Sequence, residues 1–314
     1  MSKVYNFCAG PAMLPEEVMA QAQREFIDFS GLGVSVMELS HRGKEYMAVA
    51  AEAEKDLRDL MQVPDNYKVL FMHGGGRGQF AAVPQNLLGG ANKKADYLLS
   101  GVWSKAALTE GQKFGDIQGV EGVVKHDNGG FSLIEKPQFR ADAAYVHFCP
   151  NETIEGIEMF DLPETNGIPL VADMSSTILS RPVDVSQYGI IYAGAQKNIG
   201  PSGLAVVLVR EDLLGQALPT TPSVMDFATM AEHSLPKLIA AGARVTLNSD
   251  DPAYFGGYLN DNIRAVQAAF GFDAATWYRL ARNSFEASFA GDAEKAGWIA
   301  RLDAFFAAAG VPVG

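Results

Sequence analysis

Cysteine is almost missing from this chain. Two in 314 residues, Cys8 and Cys149, cannot build a disulfide framework, so a reducing compartment is expected. Basic charge is short as well. Lys and Arg number 25 against 37 Asp and Glu, a formal charge of −12, which leaves no cationic excess to displace counterions and argues against a nucleic-acid partner. A small anionic substrate is still admissible, because it meets local charge only. No apolar run is long enough to cross a bilayer and the N-terminus lacks a signal-peptide pattern, so no membrane partner and a cytoplasmic location are expected. Histidine is sparse too: the five stand at 41, 73, 126, 147 and 233, no two of them separated by a single residue. There are no repeats and no low-complexity tracts.

What is present is enough chain for two domains and a substantial core. Periodicity predicts amphipathic helices over residues 15–29 and 44–61, the second with Glu45, Glu52 and Glu54 on its wet side. Apolar runs at 68–72, 143–148, 169–172, 189–193 and 204–209 alternate with helix-compatible or loop segments. That pattern predicts an α/β fold, a mostly parallel sheet with helices on both faces. Residues 114–137 are richer in Gly, Asp and Lys and read as an excursion at the sheet's edge. The chain breaks at 219–223, after which alanine-rich helices are expected at 260–270, 274–285 and 293–309, with Asp273 and Asp292 as caps.

Lys197 sits just past the apolar run 189–193, at a glycine-marked turn, and Asp173 closes the run 169–172. Each has an ordinary reading, a solvated loop lysine and a cap or turn aspartate. If the two strands are parallel neighbours, however, an amine and an acid converge at one edge of the sheet. Pyridoxal 5′-phosphate requires that pair: a lysine for the aldehyde carbon and a carboxylate for the pyridinium nitrogen. A third element supports it. Residues 73–80, His-Gly-Gly-Gly-Arg-Gly-Gln-Phe, follow the strand 68–72 and lead into a helix-compatible segment from Phe80 to Leu88. Consecutive glycines let backbone N–H groups close on a phosphate, and Arg77 adds charge.

These motifs, together with Asn6 to Pro15, Glu38 to Lys44, Cys149 to Gly156 and Tyr192 to Gly203, resemble phosphoserine aminotransferase, and the likeness runs to about Asp226. The resemblance implies a fold type I large domain over residues 1–226. It implies Lys197 as the Schiff-base lysine and proton shuttle, Asp173 against the pyridinium nitrogen, and Trp103 stacked on the ring. Thr153 would bond the phenolic oxygen, while Gly76, Arg77 and Gln196 would hold the phosphate. Arg42, with His41 beside it, would face the anionic groups of amino-acid and keto-acid substrates, here 3-phosphooxypyruvate and glutamate. Members of the family work as homodimers.

From about His233 the chain is instead similar to the end of the adenosine/adenine deaminase family, so it reads as a chimera, with residues 227–314 a mostly helical segment carrying one βα unit. In that family the residue at Asp250 ligates zinc and the one at Asp251 contacts the purine. The remaining ligands come from a His-x-His pair and a later histidine, and no such pair exists here. Asp250 and Asp251 are therefore better read as a helix-capping turn, with no metal expected. Past Asp226 the aminotransferase family continues with an Asn-Thr pair and a smaller domain carrying substrate arginines, which this sequence does not match. Weak or lost turnover with retained cofactor chemistry is the expectation.

Overall fold

Strands buried on both faces need side chains that are apolar throughout, and the runs at 189–193 and 204–209 meet that requirement. The computed structural model describes residues 4–41, 43–231, 259–288 and 290–313. The chain divides into two compact units, Met1–Ala231 and Glu232–Gly314.

The first unit opens with helices α1 (Glu16–Glu25) and α2 (Lys44–Met61). Then follow β1 (Tyr67–His73), α3 (Gly75–Leu87), β2 (Lys94–Leu99), α4 (Val102–Gly111) and β3 (Asp116–Glu121). The hairpin β4 (Val123–Lys125) and β5 (Phe131–Leu133) precedes β6 (Val146–Phe148), and a small ribbon joins β7 (Asn151–Glu152) to β8 (Ile157–Glu158). Strands β9 (Leu170–Asp173), β10 (Ile190–Gly194) and β11 (Leu204–Arg210) lead to a short α5 (Phe227–Ala231).

Seven strands form one sheet in the order β1-β11-β10-β9-β6-β2-β3. Neighbours are parallel except at β11, which runs antiparallel to both β10 and β1. Reversal on each side of β11 makes β1 parallel to the rest, so the C-terminal ends of β1, β2, β6, β9 and β10 lie along one edge. The start of β11 lies there too.

One face of the sheet packs Leu70, Met72, Tyr97, Val171, Tyr192 and Val207 against α3, α4 and Phe227. The other buries Val69, Val146, Phe148, Ala172, Ile191 and Leu208 beneath Leu57 and Met61 of α2 and the segment around Ile178 and Val185. Both faces are covered, as the sequence predicts. The Gly/Asp/Lys-rich stretch holds the edge strand β3 and the β4–β5 hairpin.

Three boundaries differ from expectation. Helix α1 stops at Glu25 rather than 29, because residues 28–34 close on themselves: the Phe29 N–H bonds to the Val34 carbonyl at 2.8 Å and the Gly33 N–H to Asp28 Oδ1 at 2.7 Å. Helix α3 begins at Gly75, inside the glycine run, and not at Phe80. Gly74, at φ +85°, turns the chain out of β1, a conformation that favours glycine.

The third is at the start of the last helix. In the second unit the described elements are α6 (Leu259–Phe270), α7 (Ala274–Glu286) and α8 (Asp292–Ala308). Asp273 caps α7 through the Thr276 N–H at 2.8 Å. Asp292 is the first residue of α8 rather than its cap, which is Gly291. Helices α7 and α8 are tied by Tyr278, whose ring meets Phe306 edge-on and whose hydroxyl donates to Asp303 at 2.7 Å. The strand of the βα unit expected in this segment, which the apolar run 243–248 would form, lies outside the described residues. Among those described, no helix is long and apolar enough to cross a membrane.

Candidate functional site

The edge shared by the five strand ends carries a cavity of about 250 Å³. Gly76 and Arg77 enter it from α3, Trp103 from α4, Asp173 from the end of β9, and Gln196 and Lys197 from the turn after β10. Residues separated by more than a hundred positions meet because each follows the C-terminal end of a parallel strand, where open α/β sheets form their crevices.

Lys197 is half-buried. Its ammonium donates to Ser176 Oγ at 2.7 Å and to Thr153 Oγ1, and those two hydroxyls bond each other. Burial pulls the lysine below its ordinary pKa, against the opposing charges of Asp173, Cys149 and Glu152. Its Nζ lies 5.9 Å from the centre of the Trp103 ring. The Trp103 Nε1 is buried with no hydrogen-bond partner among the described residues.

Asp173 is buried, and desolvation pushes its carboxyl up to about 6. Two bonds from Ser175 to Oδ1, from N–H at 3.0 Å and from Oγ–H at 2.6 Å, oppose that rise and fix the group. The Ser175 hydroxyl also accepts from the Gly194 N–H at 2.9 Å, which locks the β9 turn to the end of β10.

Two glycines let these backbones approach. A Cβ on Gly194 would stand 2.8 Å from the Gly76 nitrogen, and one on Gly76 would stand 2.8 Å from Ser175 Oγ. At the start of α3 the Gly75 N–H donates to the Gly203 carbonyl and the Gly78 N–H to that of Gly74. The Gly76 and Arg77 N–H groups belong to the first turn, which no carbonyl of the helix itself can reach, and they carry the positive end of its dipole. Beside Lys197 runs the N-terminal segment, held by the Ala12 N–H on the Gln196 carbonyl at 2.8 Å. A Cβ on Gly10 would come within 3.1 Å of Lys197 Cγ.

Of the residues chosen from sequence, Gly76, Arg77, Trp103, Asp173, Gln196 and Lys197 line one cavity, and Thr153 joins it through its bond to Lys197. His41 is exposed and lies outside that lining. Arg42 and Asp250 lie outside the described residues. Sequence reasoning missed Ser175 and Ser176, although both stand within three positions of Asp173, where a strand-end turn presents its side chains to the same edge. It also missed Glu152, whose partners are about fifty residues away in sequence. Among the described residues no group of three or more His, Cys, Asp or Glu could hold a metal ion. Both cysteines are free, Cys8 exposed and Cys149 buried.

Two families of known proteins match the sequence. Residues 4–247 match the family model for class-V aminotransferases, and residues 221–305 match that for adenosine deaminase, so 221–247 is shared by both. A phosphoserine aminotransferase of Shewanella sp. (strain ANA-3) is 57% identical over 239 residues, which cover 74% of this chain and 65% of that protein. The chain thus spans slightly less than two thirds of that relative's length. Among solved structures, the phosphoserine aminotransferase of Bacillus circulans subsp. alkalophilus superposes with a TM-score of 0.67 at 38% identity, covering 85% of this chain and 70% of that one. The PLP-bound phosphoserine aminotransferase of Trichomonas vaginalis gives 0.68 at 35% identity, covering 85% and 76%.

Proposed function

The chain belongs to the class-V aminotransferases, and from that premise we propose that it holds pyridoxal 5′-phosphate in the cavity at the sheet edge and exchanges an amino group between an amino acid and a keto acid. The observation that carries this reading is the meeting, in one cavity, of an amine with lowered proton affinity, a buried carboxylate and the start of a helix.

The residues fit the cofactor. Lys197 supplies the amine for its aldehyde carbon, and Asp173 a carboxylate held ready for the pyridinium nitrogen. Trp103 offers a flat apolar face. Gly76, Arg77 and Gln196 offer N–H donors and charge for the phosphate, and Thr153 a hydroxyl for the phenolic oxygen. When bound, pyridoxal 5′-phosphate supplies a carbonyl that an amine can add to and an electron-poor ring that stabilises negative charge on the adjacent carbon.

The chain's own groups do the remaining work. Lys197, once its amine is free, takes a proton from the α-carbon of the amino acid and would return it to the carbon that was the cofactor's aldehyde, and burial, which lowers its pKa, favours the free amine that this needs. Ser176 and Thr153 orient its Nζ. Asp173, fixed by Ser175, keeps a negative charge where a protonated ring nitrogen needs it.

The proposed substrates are 3-phosphooxypyruvate and glutamate, giving phosphoserine and 2-oxoglutarate, with Arg42 and His41 facing the anionic groups. Turnover is expected to be weak, because orientation of the substrate contributes several orders of magnitude to rate and the match to the family ends at residue 247, beyond the 226 expected from sequence. A cytoplasmic location, a homodimer, and a cofactor-holding domain ending near residue 226 complete the reading. Zinc-dependent deamination, suggested by the tail alone, is the weaker alternative, since the sequence has no His-x-His pair.

The test is the visible absorption of the purified chain with added pyridoxal 5′-phosphate. The expected result is a band that Lys197→Ala abolishes and that bleaches on glutamate, with 2-oxoglutarate released. A featureless spectrum, or a band indifferent to Lys197, would refute the proposal.

A further inference from the structure

Helix α4 carries Trp103 in its first turn, yet its own sequence provides no side-chain cap, because the residue at the cap position is Gly101. The orphan N–H groups of that turn are met from a distant part of the chain. Glu152, fully buried in the ribbon after β6, accepts from the Trp103 N–H through Oε2 at 2.8 Å and from the Ser104 N–H through Oε1 at 2.9 Å. Oε1 also accepts from the Ser100 hydroxyl at 3.2 Å. Glu155 takes the Val102 N–H at 3.0 Å. Glycine at 101 makes room for both acids: a Cβ there would stand 2.7 Å from Glu152 Cδ and 2.6 Å from Glu155 Oε2.

Resting on the cofactor reading above, we propose that Glu152 is a positioning residue of this site, fastening the Trp103 turn of α4 over the cavity and, through its neighbour Thr153, the amine of Lys197. A carboxylate at a helix N-terminus is favoured by the dipole, and bonds to a charged acceptor are the stronger kind. The next residue, Thr153, bonds Lys197 directly, so one short segment sets both the aromatic wall and the amine. The Glu152 charge acts on Lys197 and Asp173 alike, in each case favouring the protonated form.

The test uses the full chain. Glu152→Gln keeps the shape but loses the charge and one acceptor atom. Its dissociation constant for pyridoxal 5′-phosphate is expected to rise about tenfold, the scale of a lost helix cap. In cofactor-free protein the titration midpoint of the Lys197 amine, read by NMR of labelled lysines and assigned with Lys197→Ala, is expected to move to lower pH. Glu152→Asp keeps the charge at shorter reach, so affinity should fall while the midpoint holds. Either readout at its wild-type value in the Gln variant overturns the proposal, whatever happens to thermal stability. If that variant fails to fold, Gly101→Ala displaces the carboxylate instead. It must weaken cofactor binding and speed amide exchange at Trp103 and Ser104, and wild-type values for these overturn the proposal equally. The shift of the Lys197 midpoint needs no cofactor. A wild-type chain that never binds pyridoxal 5′-phosphate, with that shift intact, would therefore sink the functional reading and not this one.

Discussion

Asp173 stores instability at the site. Its carboxyl is pushed up to about 6 by burial, above the 3.8 of an exposed aspartate. A folded-state pKa above the unfolded one favours the fold fully below the unfolded value, and that contribution is lost as pH rises through the folded value. Cofactor-free protein is therefore penalised above about pH 6, and Asp173→Asn, which keeps the acceptor that Ser175 bonds, should stabilise it there by about 3 kcal/mol. Below about pH 4 the gain should vanish. Urea melts of both proteins at pH 8 and pH 4 check this, and an equal gain at both would assign the effect to packing. His147 works in the opposite sense. Burial pushes its imidazole down to about 3, so its contribution is complete above its ordinary pKa and is lost as the solution is acidified towards 3. The difference between wild type and the Asn variant separates the two.

At the level of elements, one arginine braces the start of the edge strand β3 beside its ladder to β2. Arg140 donates from N–H and Nε to the fully buried carboxylate of Asp96 in β2, at 2.6 and 2.7 Å, and from Nη2 to the Ala95 and Asp116 carbonyls at 2.7 and 2.9 Å. Removing it strands a buried charge. Arg140→Ala should cost about 3–5 kcal/mol in a denaturant melt, and a loss under 1 kcal/mol would mean that water replaces the guanidinium at little cost. The strands themselves were legible in sequence because both of their faces are buried, which demands unbroken apolar runs. Element ends were less so. The stop of α1 depends on bonds closing residues 28–34, and the start of α3 on glycines that a helix tolerates poorly by propensity but that this crowded junction requires. The acid and amine of the site could be found because each follows a strand. Glu152 could not, since its partners are set by tertiary packing alone.

Across the first unit, the N-terminal stretch leaves large apolar side chains in water. Phe7 is 92% exposed, Val4 78%, Ile27 77% and Met37 72%, and Met47, Val49 and Leu60 of α2 are exposed as well. So much open apolar surface on consecutive elements is characteristic of an association face. Sedimentation velocity at micromolar concentration should therefore give a species of twice the chain mass, whereas a monomer at all concentrations would remove the homodimer from the proposed function.

Strand order also has a consequence in time. Strand β1, which delivers the glycine run to the site, sits at one end of the sheet and pairs only with β11. Its partner emerges about 140 residues later in synthesis, roughly seven to thirty seconds at ordinary translation rates. Through that interval β1 has no sheet to join, and the cavity lacks one wall. Competence to hold a cofactor therefore arrives only when the last strand closes the sheet, so loading reports that the nascent chain has been assembled through residue 210.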